Sequence, residues 1–305
     1  MTDKSMSSSF QVDQESNSRV VTAMAKEWLR NTFQNSSSQF LYRGIEKWKP
    51  VPTGQYVQPI IVGSGPSLIT DIEKLRHLTW ITKPFIISTY SSVSFLMHHG
   101  ITPDAIILAD SSASVMDRWN LFEDYIKETE WTWVCAQHVD PKVAEYASLS
   151  GKLYAWKSFL KPETDPRAGI YNTAVEAMCP YLKTFMYQVG DSGNAAILLL
   201  ENLRNFGQLK FSSIILCGVD HSWNSEWYRV PYFTEKEIVP TTGWQTTPMQ
   251  EEFSSGLFTN IVLKMYDEEL KNIAGIMGER GIKIYTTSKA TLVGRSIPQY
   301  TEGDL

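Results

Sequence analysis

Short apolar runs alternate with segments of helical periodicity from residue 59 onward. The apolar runs are rich in Ile, Val and Leu with few polar interruptions, which is typical of strands buried on both faces. The predicted strands are Ile60–Val62, Phe85–Ser88, Ala105–Ala109, Trp131–Ala136, Leu153–Trp156, Ile214–Cys217 and Lys283–Thr286. Strands that alternate with helices build parallel sheets with crossover helices. The pattern therefore predicts an α/β fold with a doubly wound, mostly parallel, Rossmann-like sheet and helices on both of its faces.

The segment before residue 59 has a different character. Residues 1–18 are rich in Ser, Asp, Gln and Asn with little to bury, and they are predicted to be a disordered tail. Apolar residues then recur at helical spacing, so residues 19–58 are predicted to be an N-terminal helical extension. This helix would pack either on the main domain, residues 59–305, or on another subunit, and the second arrangement would make a homo-oligomer.

Residues 220–255 interrupt the alternation of strands and helices. They place Trp, Tyr and Phe among Pro, Gly and Thr, and a long segment without a regular pattern is typical of a functional loop or lid. Aromatic rings in such a loop either stack on a ligand or form the small core of the loop itself. The sequence leaves both alternatives open.

The loop after the first predicted strand carries the strongest local signal in the chain. It contains Gly63 and Gly65, and glycine permits a positive φ and the close approach of a phosphate to backbone N–H groups. Residues Thr70 to Glu73 form a capping box, which predicts a helix that begins there with its positive end towards the loop. The loop is therefore predicted to hold an anion. The alternative is a tight strand-to-helix turn without a ligand.

Two common nucleotide-binding motifs are absent from this loop. A dinucleotide fingerprint would need a third glycine where Leu68 stands, and the second strand would end in an acidic residue rather than in the hydroxyls of Ser88 and Thr89. The sequence also lacks the G-x-x-x-x-G-K-[ST] pattern of a P-loop. The sequence therefore disfavours NAD and excludes a P-loop.

Composition narrows the class of protein. The chain has 305 residues, of which 43% are hydrophobic, and a formal net charge of −5. This charge argues against a nucleic-acid partner or an anionic membrane surface. Three cysteines without paired spacing indicate reduced thiols. No apolar run is long enough to span a membrane and no segment resembles a signal peptide, so a cytoplasmic protein is predicted.

Ligands of open α/β sheets bind beyond the carboxyl ends of the strands, so the residues that follow each strand are the candidates. Small, hydroxyl-bearing and acidic residues follow several predicted strands, and a similar group precedes a helix. The predicted ligand-binding residues are Gly63, Ser64, Gly65, Pro66, Ser67, Ser88, Asp110, Ser111, Asp191, Ser192, Gly193 and Asn194.

Asp110, Asp220 and His221 are the candidates for chemistry. Mg²⁺ prefers one or two carboxylates together with substrate phosphate oxygens, so Asp110 and Asp220 are predicted metal ligands. The alternative for each is the cap of a helix. His221 is predicted to act with Asp220 in catalysis as a general acid or base, because histidine titrates near neutral pH. The alternative for His221 is a structural histidine.

Four ordered motifs resemble one known family. They are Val62–Leu68, the run from Gly100 to Asp110, Asp191–Ala196 and Cys217–Ser222. With these motifs the chain resembles the MptE-like family, which includes archaeal hydroxymethylpterin diphosphokinases and the Maf flagellin-glycosylation factors. Its first and third motifs are also similar to loops of the bacterial sialyltransferases that use CMP-sialic acid.

The resemblance implies a transferase that binds a nucleotide and a small-molecule substrate. It implies that Gly63 to Ser67 and Asp191 to Asn194 hold the nucleotide. For a diphosphokinase it implies transfer of a diphosphate from ATP with Mg²⁺, with Asp110 and Asp220 on the side of the metal or phosphate. The alternatives are a glycosyltransferase with a CMP-activated sugar and a non-catalytic binding protein on the same fold.

Overall fold

The computed structural model describes residues 24–38, 43–52, 55–82, 84–112, 115, 130–162, 167–233, 238–239, 251–254 and 256–301. The tail predicted for residues 1–18 lies outside them. The strands are β1 Pro59–Val62, β2 Phe85–Thr89, β3 Ala105–Leu108, β4 Trp131–Ala136, β5 Gly151–Phe159, β6 Phe185–Tyr187, β7 Ser213–Cys217, β8 Trp223–Asn224, β9 Tyr232–Phe233, β10 Ile238–Val239, β11 Glu251–Ser254, β12 Leu257–Thr259 and β13 Lys283–Thr286. The helices are α1 24–36, α2 Ser67–Thr82, α3 Val93–His98, α4 Pro141–Ser150, α5 Ala168–Met178, α6 Ser192–Asn205, α7 Ile261–Glu279 and α8 Val293–Ser296. No helix among these residues is long and apolar enough to cross a membrane.

The central sheet has eight strands in the order β13-β7-β1-β2-β3-β4-β5-β6. Every neighbouring pair in it is parallel. The order reverses next to β1, because the chain runs outward from β1 to β6 and then returns to place β7 on the other side of β1. The predicted doubly wound, Rossmann-like sheet is confirmed.

Alternate residues of the central strands enter two separate cores, one on each face of the sheet. Ile61 and Ile87 belong to a cluster with residues of α4, α6 and α7. Ile60, Val62 and Ile86 belong to a second cluster with residues of α2 and α3. Because successive side chains of a strand point to opposite faces, strands covered by helices on both sides must be apolar at every position. This burial explains the continuous apolar runs in the sequence.

Several elements differ from the sequence prediction. The strand β6 and the helix α5 were not predicted. β6 is a three-residue edge strand without a continuous apolar run, on which Phe185 and Tyr187 are exposed and only Met186 is buried. The helix α2 begins at Ser67 rather than at the capping box, and the Thr70 hydroxyl donates a hydrogen bond to the Ser67 carbonyl within the first turn.

The helix α1 packs on the chain's own sheet, across the carboxyl ends of β3 and β4. The Asn31 side-chain amide donates to the carbonyls of Ser111 and His138, at 3.3 and 3.2 Å. The Asn35 amide donates to the carbonyls of Gln137 and Val139, each at 2.9 Å. Buried carbonyls beyond the strand ends need such donors, and α1 supplies them at the carboxyl ends of β3 and β4. The predicted homo-oligomer through this helix stays a prediction.

The segment predicted as a loop or lid contains short strands. The strands β11, β12 and β8 form an antiparallel sheet, and β9 pairs with β10. Trp223 is buried, and its ring packs against those of Tyr228 and Phe258 at centroid distances of 5.3 and 6.4 Å. These three rings therefore form a small core between this segment and β12. Residues 240–250 lie outside the described part of the chain.

Candidate functional site

A cavity of about 490 Å³ lies at the point where the strand order reverses. The loops after β1 and β7 line it with residues 63–65 and 218–222. Residues that follow β2, β3 and β5 extend the wall, and α1 and α7 contribute side chains to it. A crevice beyond the carboxyl ends of the strands, where their order reverses, is the usual ligand site of an open α/β sheet.

The two glycines of the first loop allow the approach of another backbone segment. The N–H of Gly63 donates to the Cys217 carbonyl at 2.8 Å, and that of Gly65 donates to the Gly218 carbonyl at 2.7 Å. A Cβ atom at Gly63 would lie 2.4 Å from the Gly218 carbonyl oxygen. The prediction that these amides hold a phosphate is therefore corrected, because both already have protein acceptors.

Asp220 caps the helix that follows the glycine loop. Its carboxylate accepts a hydrogen bond from the Ser67 N–H at 2.8 Å and another from the Ser67 hydroxyl at 2.5 Å. A Cβ atom at Gly65 would lie 2.4 Å from the Asp220 Cγ. Burial raises the Asp220 pKa to about 6, although the bonds from Ser67 oppose the shift. The chain's own carboxylate thus takes the position at the start of α2 where an anionic ligand was expected.

Asp191 caps the helix α6 in the same way, at the predicted ligand-binding residues 191–194. Its Oδ1 atom accepts hydrogen bonds from the N–H groups of Gly193 and Asn194, at 2.6 and 3.1 Å. The buried Asn194 side chain donates to the carbonyls of Val189 and Tyr266, so its role is structural. Both helices that begin at the cavity therefore have a carboxylate cap, and three of their N-terminal amides are not open to a ligand.

His221 lies between two carboxylates in the wall of the cavity. Its Nε2 atom is 3.3 Å from Asp191 Oδ2, and its Nδ1 atom is 3.8 Å from Asp267 Oδ1. The residue is buried and has a φ of 50°. Burial alone would lower the His221 pKa, but the two carboxylates outweigh it and raise the pKa to about 9. Of the two predicted roles, that of a general base does not fit a ring that holds its proton at neutral pH.

The other predicted residues divide between the cavity wall and the interior. Ser64, Asp110, Ser111 and Ser192 line the cavity, whereas Pro66, Ser67 and Ser88 do not. The buried Ser88 hydroxyl donates to the neighbouring Thr89 carbonyl at 2.9 Å. Asp110 is half-buried, and its Oδ1 atom accepts a hydrogen bond from the Ser112 N–H at 2.8 Å. Asp110 is thus a predicted acid in the wall of the cavity whose carboxylate accepts a hydrogen bond from a nearby backbone amide.

Asp110 and Asp220 as ligands of Mg²⁺ stay a prediction. Within the described ranges, no group of three or more His, Cys, Asp or Glu side chains is placed to hold a metal ion. Both oxygens of Asp220 accept hydrogen bonds from Ser67. We therefore derive no chemical step through a metal ion.

Sequence reasoning missed several polar residues of the wall or its support, among them Lys161, Arg229, Tyr266, Asp267 and Glu269. Asp267 had a signal that could have found it. It lies on α7 at the spacing of the buried residues Leu270 and Ile273, and an acid on the apolar face of a helix is almost always paired. Arg229 had no such signal, because it lies in a segment without a regular pattern.

Comparisons with known proteins place these observations in a family. The family model described as 6-hydroxymethylpterin diphosphokinase MptE-like matches residues 26–226. The solved structure of the Maf glycosyltransferase from Magnetospirillum magneticum AMB-1 superimposes with a TM-score of 0.56 at 15% sequence identity, over 92% of this chain. The chain spans 39% of the length of that protein. No curated protein sequence matches the chain.

Proposed function

The chain belongs to the MptE-like family, and from this premise we propose that it transfers a glycosyl group from a CMP-activated sugar to a small hydroxyl acceptor. The family supports a transferase-like function in general. The choice of donor depends on one observation, the excess of carboxylates over cations in the wall of the cavity. The acidic lining residues are Asp110, Asp191, Asp220 and Glu269, and the basic ones among the described residues are Lys161, His221 and Arg229.

Pairing within the protein reduces the positive charge offered to a ligand. Lys161 forms an ion pair with Glu269, and His221 contacts Asp191 and the buried Asp267. A triphosphate chain carries several negative charges, and proteins that use it normally neutralise them with Mg²⁺. The wall already holds the four carboxylates named above, so the single phosphodiester of a CMP-sugar suits this cavity better than the more highly charged triphosphate of ATP does.

In the proposed reaction the bond between the anomeric carbon and the phosphate oxygen breaks, and CMP leaves with the bonding electrons. The acceptor hydroxyl oxygen forms the new bond to the anomeric carbon. Asp110 takes the proton of that hydroxyl as general base, and the Ser112 amide orients its carboxylate. The positive charge of His221 offsets the charges of Asp191 and Asp267, which would otherwise repel the phosphate.

The first test measures the binding of CMP and the release of CMP from CMP-sialic acid. We expect CMP to bind without Mg²⁺ in calorimetry, and mass spectrometry to detect free CMP after incubation with the sugar nucleotide. Asp110→Asn should lower the rate of CMP release about 10²-fold, the usual effect of a lost general base. The same substitution should not weaken CMP binding, because it removes a negative charge from the wall.

Glu145→Gln is the matched control, since Glu145 is exposed on α4 and does not line the cavity. This variant should release CMP at the wild-type rate. A wild-type protein that neither binds CMP nor releases it from the sugar nucleotide would contradict the proposed function.

Diphosphate transfer from ATP is the second candidate, and the description of the matching family model favours it. In that reaction the terminal diphosphate passes to the acceptor hydroxyl and AMP leaves. Incubation with ATP separates the two candidates, because AMP formation that requires Mg²⁺, without CMP release from a sugar nucleotide, would support the diphosphokinase.

A further inference from the structure

Arg229 reaches the cavity from the segment that the sequence predicts to be a loop or lid. It follows β8 and lines the cavity. The next residue, Val230, donates its backbone N–H to the Ser64 carbonyl in the glycine loop at 2.9 Å. This bond fixes the segment that carries Arg229 directly against the glycine loop.

The Arg229 side chain also contacts an aromatic ring. Its guanidinium carbon lies 5.3 Å from the centroid of the Tyr228 ring, within the range of a cation–π contact. The Tyr228 ring in turn packs on the buried Trp223. A guanidinium held by an anchored ring is restricted in its rotamers, so less conformational entropy is lost when it binds a ligand.

An anion at this crevice depends on side-chain cations, because five main-chain donors there already have acceptors within the protein. The amides of Gly63, Gly65 and Ser67 bond to acceptors of the β7 loop, and Asp191 accepts hydrogen bonds from two amides at the start of α6. The capping carboxylates Asp191 and Asp220 add negative charge where a helix dipole would otherwise attract a phosphate. Binding therefore requires positive charge from elsewhere in the wall.

Position distinguishes Arg229 among the three cations of the described lining residues. Lys161 follows β5, four strands away from β1. His221 is buried, and its two ring nitrogens lie beside Asp191 and Asp267. Arg229 is the cation whose backbone neighbour is bonded to the glycine loop itself.

We infer that Arg229 binds the phosphate of the nucleotide at the crevice between β1 and β7. The inference deepens the proposed function and rests on it, because it takes the nucleotide as the ligand. The planar guanidinium offers parallel N–H donors that match two phosphate oxygens. In glycosyl transfer the same contact would stabilise the charge that the departing phosphate gains.

Calorimetry with CMP and with cytidine tests the inference, since the two ligands differ only by the phosphate. At one fixed ionic strength the wild-type protein should bind CMP more tightly than cytidine. Arg229→Ala should weaken CMP binding about 10- to 100-fold, the usual range for a lost charged hydrogen bond. Cytidine affinity should change less than twofold, and Arg229→Lys should restore part of the lost CMP affinity.

Arg43→Ala serves as the control, because Arg43 is exposed and does not line the cavity; its CMP affinity should equal that of the wild type. If Arg229→Ala leaves the preference for CMP over cytidine intact, or weakens both ligands equally, the inference is wrong while the proposed function stands. If the wild-type protein neither binds CMP nor releases it from the sugar nucleotide, the proposed function fails and the inference fails with it. Thermal unfolding of each variant shows whether a loss of affinity reflects loss of the fold.

Discussion

Gly63→Ala will lower the free energy of unfolding by about 3 kcal/mol, the upper part of the range for an overpacked site. The added Cβ would lie 2.4 Å from the Gly218 carbonyl oxygen, which is backbone and cannot rotate away. Relief would require separation of the two loops, and this would break the hydrogen bonds from Gly63 and Gly65 to the β7 loop. Urea unfolding of the purified variant measures the change.

Gly275→Ala is the matched control for the same chemical change. Gly275 is exposed within α7, and a Cβ atom there would have no neighbour within 4 Å. Alanine is the better helix former, so this variant should be more stable by roughly 0.5–1 kcal/mol. If instead Gly63→Ala keeps its stability and loses nucleotide affinity, then the glycine faces a ligand and our description of the loop is wrong.

The free energy of unfolding will fall by up to about 3 kcal/mol as the pH rises from 6.5 through 9, as follows from a histidine pKa raised to about 9 in the fold. A pKa that is higher in the folded state means that protonation stabilises the fold. The contribution of His221 is therefore complete below its ordinary pKa near 6.5 and is lost as the pH passes through 9. Asp191 and Asp267 supply the attraction, and Lys271, which pairs with Asp267, competes for it.

Chemical unfolding at a series of pH values, with the wild type and His221→Asn, measures this contribution. Asparagine suits the φ of 50° at this position, since it visits the left-handed region more readily than most residues. The variant should be less stable than the wild type at pH 6.5 and should show a flatter profile up to pH 9. An equal slope in both proteins would show that His221 is not the group that titrates.

The glycine loop shows how far local sequence reasoning reaches at this site. The positions of Gly63 and Gly65 after a buried strand correctly placed a constrained loop at the crevice. The same pattern did not reveal what the glycines make room for, because the atoms that approach them belong to Gly218 and Asp220. Glycine is required whether a ligand or a distant backbone segment approaches the loop. The sequence alone therefore could not distinguish these two cases.

The sequence also failed to predict the start of α2 and the edge strand β6, for a related reason. The helix α2 begins three residues before the capping box, since Asp220 caps Ser67 from 153 positions away in the chain. The strand β6 is held by its pairing with β5, while two of its three side chains remain exposed. In each case a long-range partner supplies the stabilisation, and a local pattern carries no record of it.

The amino-acid sequence by itself determined the doubly wound sheet, the ends of most of its strands and a group of residues that could meet there. Burial on both faces demands uninterrupted apolar runs, and such runs are visible in the chain without any knowledge of its contacts. Only the tertiary structure decided which donors remain for a ligand, that Asp191 and Asp267 keep His221 protonated, and that Arg229 lies at the glycine loop. Hydrogen bonds and charge pairs depend on distances of a few ångströms between segments far apart in the chain, and these distances exist only once the sheet has formed.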